Sequence, residues 1–101
     1  MILVYVTHPD EAAAKRIVNH LLERHLIACA TLFPVQSFYW WQGRKHEEGE
    51  IVTLLKTDED FWDNLLAEIR RVHPYTTPCV LRVEVDANPE YKDWVKRETR
   101  G

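Results

Sequence analysis

A chain of 101 residues has room for one domain, taken here as 1–101. Its 13 basic and 16 acidic residues leave a net charge of −3 with no basic face, which sets nucleic-acid binding aside. No apolar run approaches a membrane span, and the first residues have neither the basic start nor the small-residue cleavage site of a signal peptide, so a soluble cytoplasmic protein is expected. A domain this small buries only roughly 60–65% of its extended-chain surface. Yet 46% of the residues are apolar and four are tryptophan, so part of this material is expected to be covered by a partner.

In chain order, Ile2 to Thr7 is a short β-branched run that predicts a buried strand. Pro9 fits a first helical turn, and Ala14, Ile17, Val18, Leu21 and Leu22 recur with helical spacing toward an end near Arg24-His25. Leu26 to Phe33 predicts a second strand, and Pro34 marks an edge or a bulge. Ser37 to Trp41 continues with strong β character, Gln42 to Lys45 is the turn, and Glu48 to Lys56 returns as a third strand in a long hairpin. Thr57 and Asp60 read as a capping box for a second helix with the stripe Phe61, Trp62, Leu65, Leu66, Ile69, which His73-Pro74 ends. Cys79 to Val85 alternates, with Leu81, Val83 and Val85 expected toward the core and Arg82 and Glu84 outward. Asn88-Pro89 opens a short terminal helix with Tyr91, Trp94 and Val95 on its apolar side.

The order is β-α-β-β-α-β plus a terminal helix, an α+β ferredoxin-like fold whose two helices cover one face of a four-stranded sheet. The first strand is apolar on both sides, with Ile2, Val4 and Val6 against Leu3 and Tyr5, and the third strand is similar. Two helices cover only one of those sides, so a symmetric oligomer is expected to cover the other.

Five blocks then carry a resemblance: Ala28-Cys29-Ala30-Thr31-Leu32, Phe38-Tyr39-Trp40-Trp41-Gln42-Gly43, Leu55-Lys56-Thr57, His73-Pro74-Tyr75-Thr76-Thr77-Pro78 and Tyr91-x-x-Trp94. In this order and spacing they resemble the signature of the CutA divalent-cation tolerance family. The resemblance implies an interlocked homotrimer with hairpins reaching across to neighbours, a link to copper and other divalent cations, and an architecture like that of PII signalling trimers. No enzyme activity and no required cofactor are expected, with a divalent metal ion such as copper as the candidate ligand. Where some members carry a first-strand cysteine and a histidine pair before the proline, this chain has Val6 and Val72, and only His73 remains.

Five residues are the expected ligand-binding set. Lys56 shares a strand face with Leu54 and Val52, a half-buried cation suited to a small anion. His73 closes a helix, where it either contacts the last carbonyls or serves as the one metal ligand. Tyr75 stands on a loop stiffened by Pro74 and Pro78, and Trp41 belongs to an aromatic run suited to an interface. Cys29 has no base beside it in sequence, and it and Cys79 read as buried reduced thiols, without the C-x-x-C of a redox or zinc site. Lys56 and His73-Tyr75 flank the second helix at opposite ends, roughly 20 Å apart for about 14 residues, so a pocket shared between subunits is the expected way to join them. Acylphosphatase chemistry is discounted because Thr7-His8-Pro9-Asp10 lacks an arginine and a glycine cradle. A scaffold or PII-like small-molecule signalling trimer stays open as the alternative.

Overall fold

The computed structural model describes residues 1–100. Strands β1 (Ile2–His8), β2 (Cys29–Trp41), β3 (Arg44–Thr57) and β4 (Val80–Glu84) form one antiparallel sheet in the order β2-β3-β1-β4. Helices α1 (Glu11–Glu23) and α2 (Trp62–Val72) follow β1 and β3, a 3₁₀ turn (Glu59–Phe61) precedes α2, and α3 (Pro89–Thr99) ends the chain. This is the ferredoxin-like fold expected from the sequence.

Local chemistry sets the element ends. Asp10, not Pro9, opens α1: its carboxylate accepts the Ala13 N–H at 2.8 Å, leaving Pro9 outside the helix. The α1 end is a Schellman-type closure, with Leu26 N–H on Leu21 O and His25 N–H on Leu22 O. His25 takes the left-handed position (φ 56°) that glycine usually fills, and its Nδ1 bonds Glu98 O at 2.8 Å, tying this corner to α3. The expected Thr57–Asp60 box does not form. Thr57 Oγ1 instead donates to Leu26 O at 2.8 Å, and Asp58 caps the 3₁₀ turn. Gln42 and Gly43 both have positive φ, which gives a two-residue type I′ turn and lets β2 and β3 pair all the way out to Trp41 and Arg44. Pro34 sits within β2 on the sheet edge, where a missing N–H costs no ladder bond on the free side.

The core lies between the helices and one sheet face. Ile2, Val4, Val6, Ile17, Leu21, Ile27, Leu55, Leu65 and Ile69 form its buried cluster. Val80, Arg82 and Glu84 stand opposite Val6, Val4 and Ile2, which puts them on that same face. Leu81 and Val83 therefore point to the open face, the reverse of the assignment expected from alternation, and are 53% and 49% exposed. The reason is that β4 is an edge strand at the rim of the helical layer: the Arg82 guanidinium lies over the Trp62 ring, 5.6 Å from its centroid, and can still reach water. Thus Leu81, Val83 and Phe33 (39% exposed) leave an apolar sheet face without a cover in the single chain.

Candidate functional site at the two ends of the open sheet face

At the outer end of β1, the loop after α2 wraps from the helix side to the open side of the sheet. Pro74 stops α2, and His73 takes the extended conformation required before proline (φ −73°, ψ 138°). This turns the imidazole under the sheet. Its Nε2–H donates to Thr7 O at 2.8 Å, and its Nδ1 accepts the Tyr75 N–H at 3.0 Å. A carbonyl only accepts, so these two bonds fix the tautomer and engage both ring nitrogens. The ring stacks on His8 with centroids 5.3 Å apart. His8 is fully buried, bonds Thr53 Oγ1 through Nε2 at 2.8 Å, and leaves Nδ1 without a partner. Burial, then the neighbouring His73, pushes His8 down to about 4, and burial lowers His73 as well. Both rings are therefore neutral near pH 7.

Tyr75 carries the loop onto the open face, where its hydroxyl donates to Glu50 Oε2 at 2.6 Å. Burial and Glu50 raise the Tyr75 phenol well above its ordinary range, so it stays a donor. Glu50 is buried, an ionisable side chain that strand patterning did not single out. Two residues farther along β3, Glu48 accepts the Tyr39 hydroxyl, and Tyr39 stacks on His46. Tyr39, Trp41, His46, Glu48, Glu50 and Tyr75 all line one open cavity of about 690 Å³, together with Cys79. Trp41 and Tyr75 are thus brought together within one chain. Phe38 and Trp40, on the other side of the hairpin, are about 70% exposed.

The second group stands six residues back along β3, roughly 20 Å away at strand rise. Cys29 and Lys56 are register partners at the inner end of the hairpin. Lys56 Nζ donates to Cys29 Sγ at 3.4 Å, and the Tyr91 hydroxyl of α3 lies 3.5 Å from the same sulfur. Lys56 is half-buried on the face that carries Leu54, as its alternation indicated. Cys29 and Cys79 are both free but only partly buried, a correction to the buried thiols expected. Tyr91 joins the site because α3 packs back on the sheet through Val95 and Thr99, and its ring lies beside Trp94. Of the five expected site residues, Trp41, His73 and Tyr75 gather at one end and Cys29 and Lys56 at the other.

Sequence reasoning passed over His8, Glu50 and Tyr91. His8 suits a helix cap by its place before Pro9, whereas its position in phase with Ile2, Val4 and Val6 was the signal for burial. Among the described residues no three His, Cys, Asp or Glu side chains gather as a metal site. A cation at His73 has to take one ring nitrogen from Tyr75 N–H or Thr7 O. None of the described helices is long and apolar enough to cross a membrane.

Comparison with known proteins agrees with the geometry over the whole chain. Residues 2–98 match the family of the CutA1 divalent ion tolerance protein. A divalent-cation tolerance protein CutA from Pyrococcus horikoshii is 44% identical over 101 residues, covering 99% of each chain. The solved structure of a periplasmic divalent cation tolerance protein CutA from Archaeoglobus fulgidus superposes with a TM-score of 0.94 at 33% identity, covering 98% of this chain and 99% of that one. A PII-like protein CutA from Nostoc sp. PCC 7120 gives a TM-score of 0.92 at 34% identity, covering 98% and 97%. With fold, blocks and length in agreement, the chain belongs to the CutA1 divalent ion tolerance family.

Proposed function

We propose that the chain works as a cytoplasmic homotrimer in the response to divalent cations, copper among them, and binds a cation or a small anionic ligand at its subunit boundaries without catalysing a reaction. The observation that carries this reading is the uncovered apolar face at Leu81, Val83 and Phe33, which a second copy would cover. The two polar groups stand at opposite ends of that face. Packing against it brings the Lys56–Cys29 end of one subunit toward the hairpin and Trp41–His73–Tyr75 end of another. A single chain offers no complete metal-ligand set among its described residues, so a cation held through His73 needs donors from a neighbour and a shift of the Tyr75 loop. The free thiols suit a reducing compartment.

Light scattering at micromolar concentration tests the assembly: three chains per particle are expected without added metal, and a folded monomer overturns the reading. Copper calorimetry on the native protein and on His73→Ala tests the ligand, with weaker binding expected in the variant. Unchanged copper binding removes His73 from the site. A second reading, a PII-like small-molecule signalling trimer without a metal role, is favoured by the likeness to the Nostoc protein. It predicts no copper binding at all.

A further inference from the structure

The hairpin carries two bare rings on the face turned away from the open one. Ala30 is the register partner of the core residue Leu55, so Phe38 and Trp40, an even number of residues farther along β2, share the helix side. No helix covers them there: they are 70% and 71% exposed. Glu47, the cross-strand neighbour of Phe38, has no ion-pair partner among the described residues. At the opposite edge of the sheet, again on the helix side, a groove of about 610 Å³ runs between α2 and β4. Trp62, Leu66 and Arg70, at four-residue steps along α2, form one wall, and Pro78 and Val80 line the other. Arg82 lies over the Trp62 ring beside it, and Arg70, like Glu47, has no ion-pair partner among the described residues.

Rings and groove match in chemistry but stand where one chain does not join them. The order β2-β3-β1-β4 puts the hairpin on one edge of the sheet and the groove at the other, so a groove is out of reach of its own hairpin. A second copy placed head to tail brings the hairpin edge of one sheet to the β4 edge of the next, with the helix sides in common. Each copy then gives one pair of rings and takes one pair, a contact that repeats around a ring instead of ending at two chains. The rings meet Trp62, Leu66 and Val80, and the carboxylate beside them meets a groove of positive charge. We propose that Phe38 and Trp40 of one copy seat in the α2–β4 groove of the next, with Glu47 paired to Arg70 of that next copy. This seat rests on the assembly proposed above and fixes its arrangement, and Trp41, on the other face of the hairpin, is left to the boundary site.

The test is light scattering on the full-length protein over a dilution series, at the guanidinium concentration where the native particle begins to dissociate. Trp40→Ala, at an exposed position, is expected to raise the concentration of half-dissociation roughly thirtyfold or more, the effect of removing an interface tryptophan. Glu47→Arg and Arg70→Glu are each expected to raise it several-fold, and the two together in one chain to bring it back toward the native value, since each copy then offers the swapped pair. Circular dichroism of each variant at high protein concentration checks that the fold is kept. A double swap no better than the single ones overturns the Glu47–Arg70 pairing. A native trimer whose dissociation ignores Trp40→Ala and Glu47→Arg overturns the seat and leaves the assembly standing, whereas a native monomer overturns both.

Discussion

The two faces of this sheet are made from the same strands by opposite rules. On the helix side, Ile2, Val4, Val6 and Leu55 are buried to 1% exposure or less beneath α1 and α2. On the other side, one residue out of phase, Leu81 and Val83 are about half exposed and Leu54 only partly covered. Even β4 gives its polar residues, Arg82 and Glu84, to the helical side at the rim and keeps its leucine and valine for the open one. A monomer gains nothing from that choice. It lowers free energy only when something apolar lies on the open face.

The comparison can be broken most severely at Leu55. Leu55→Ala opens a cavity in a fully buried cluster and is expected to cost about 2–5 kcal/mol in denaturant unfolding. Leu81→Asp, on the other face, is expected to leave a folded chain by circular dichroism while the particle mass falls to that of one chain. A loss of folding at Leu81 comparable to that at Leu55 erases the distinction between the faces.

Acid sharpens it next, because the buried histidine pair belongs to the helix-covered side. His8 has a folded-state value of about 4, below its ordinary 6.5, so the unfolded chain binds that proton first. Its contribution is fully present above pH 6.5, drains as the pH falls and is spent below about 4. His73 is shifted in the same direction. Guanidinium unfolding at pH 7 and pH 4 is expected to differ by on the order of 2–3 kcal/mol. A flat profile across that window removes the pair from the stability account.

The smallest effects belong to the open-face polar groups. Tyr75→Phe leaves Glu50 without its phenol donor and is expected to cost about 1–3 kcal/mol. Lys56→Met keeps the stem and loses a long 3.4 Å contact to sulfur, so a change within about 0.5 kcal/mol is expected. Equal losses at both positions in thermal unfolding make the two ends energetically alike, against the geometry.

The sequence by itself determined the element order, the confinement of Pro34 to an edge or a bulge, the long hairpin and the presence of a second apolar face. These follow from local signals: the period of apolar residues, proline's missing N–H, and a glycine-containing turn between two β-rich runs. It also placed Lys56 and His73-Tyr75 at opposite ends of α2, since helix length is a count of residues. Only the tertiary structure decided which face β4 turns to the helices, because alternation gives two faces but not their sides, and an edge strand at a rim can put arginine on the inner one. Only packing made His8 a core residue, turned Thr57 from a cap into a donor to Leu26 O, and carried Tyr91 to Cys29. The Glu50–Tyr75 bond was equally hidden. It joins residues 25 apart across a loop, and no local propensity encodes which carboxylate a phenol will meet once a chain has closed.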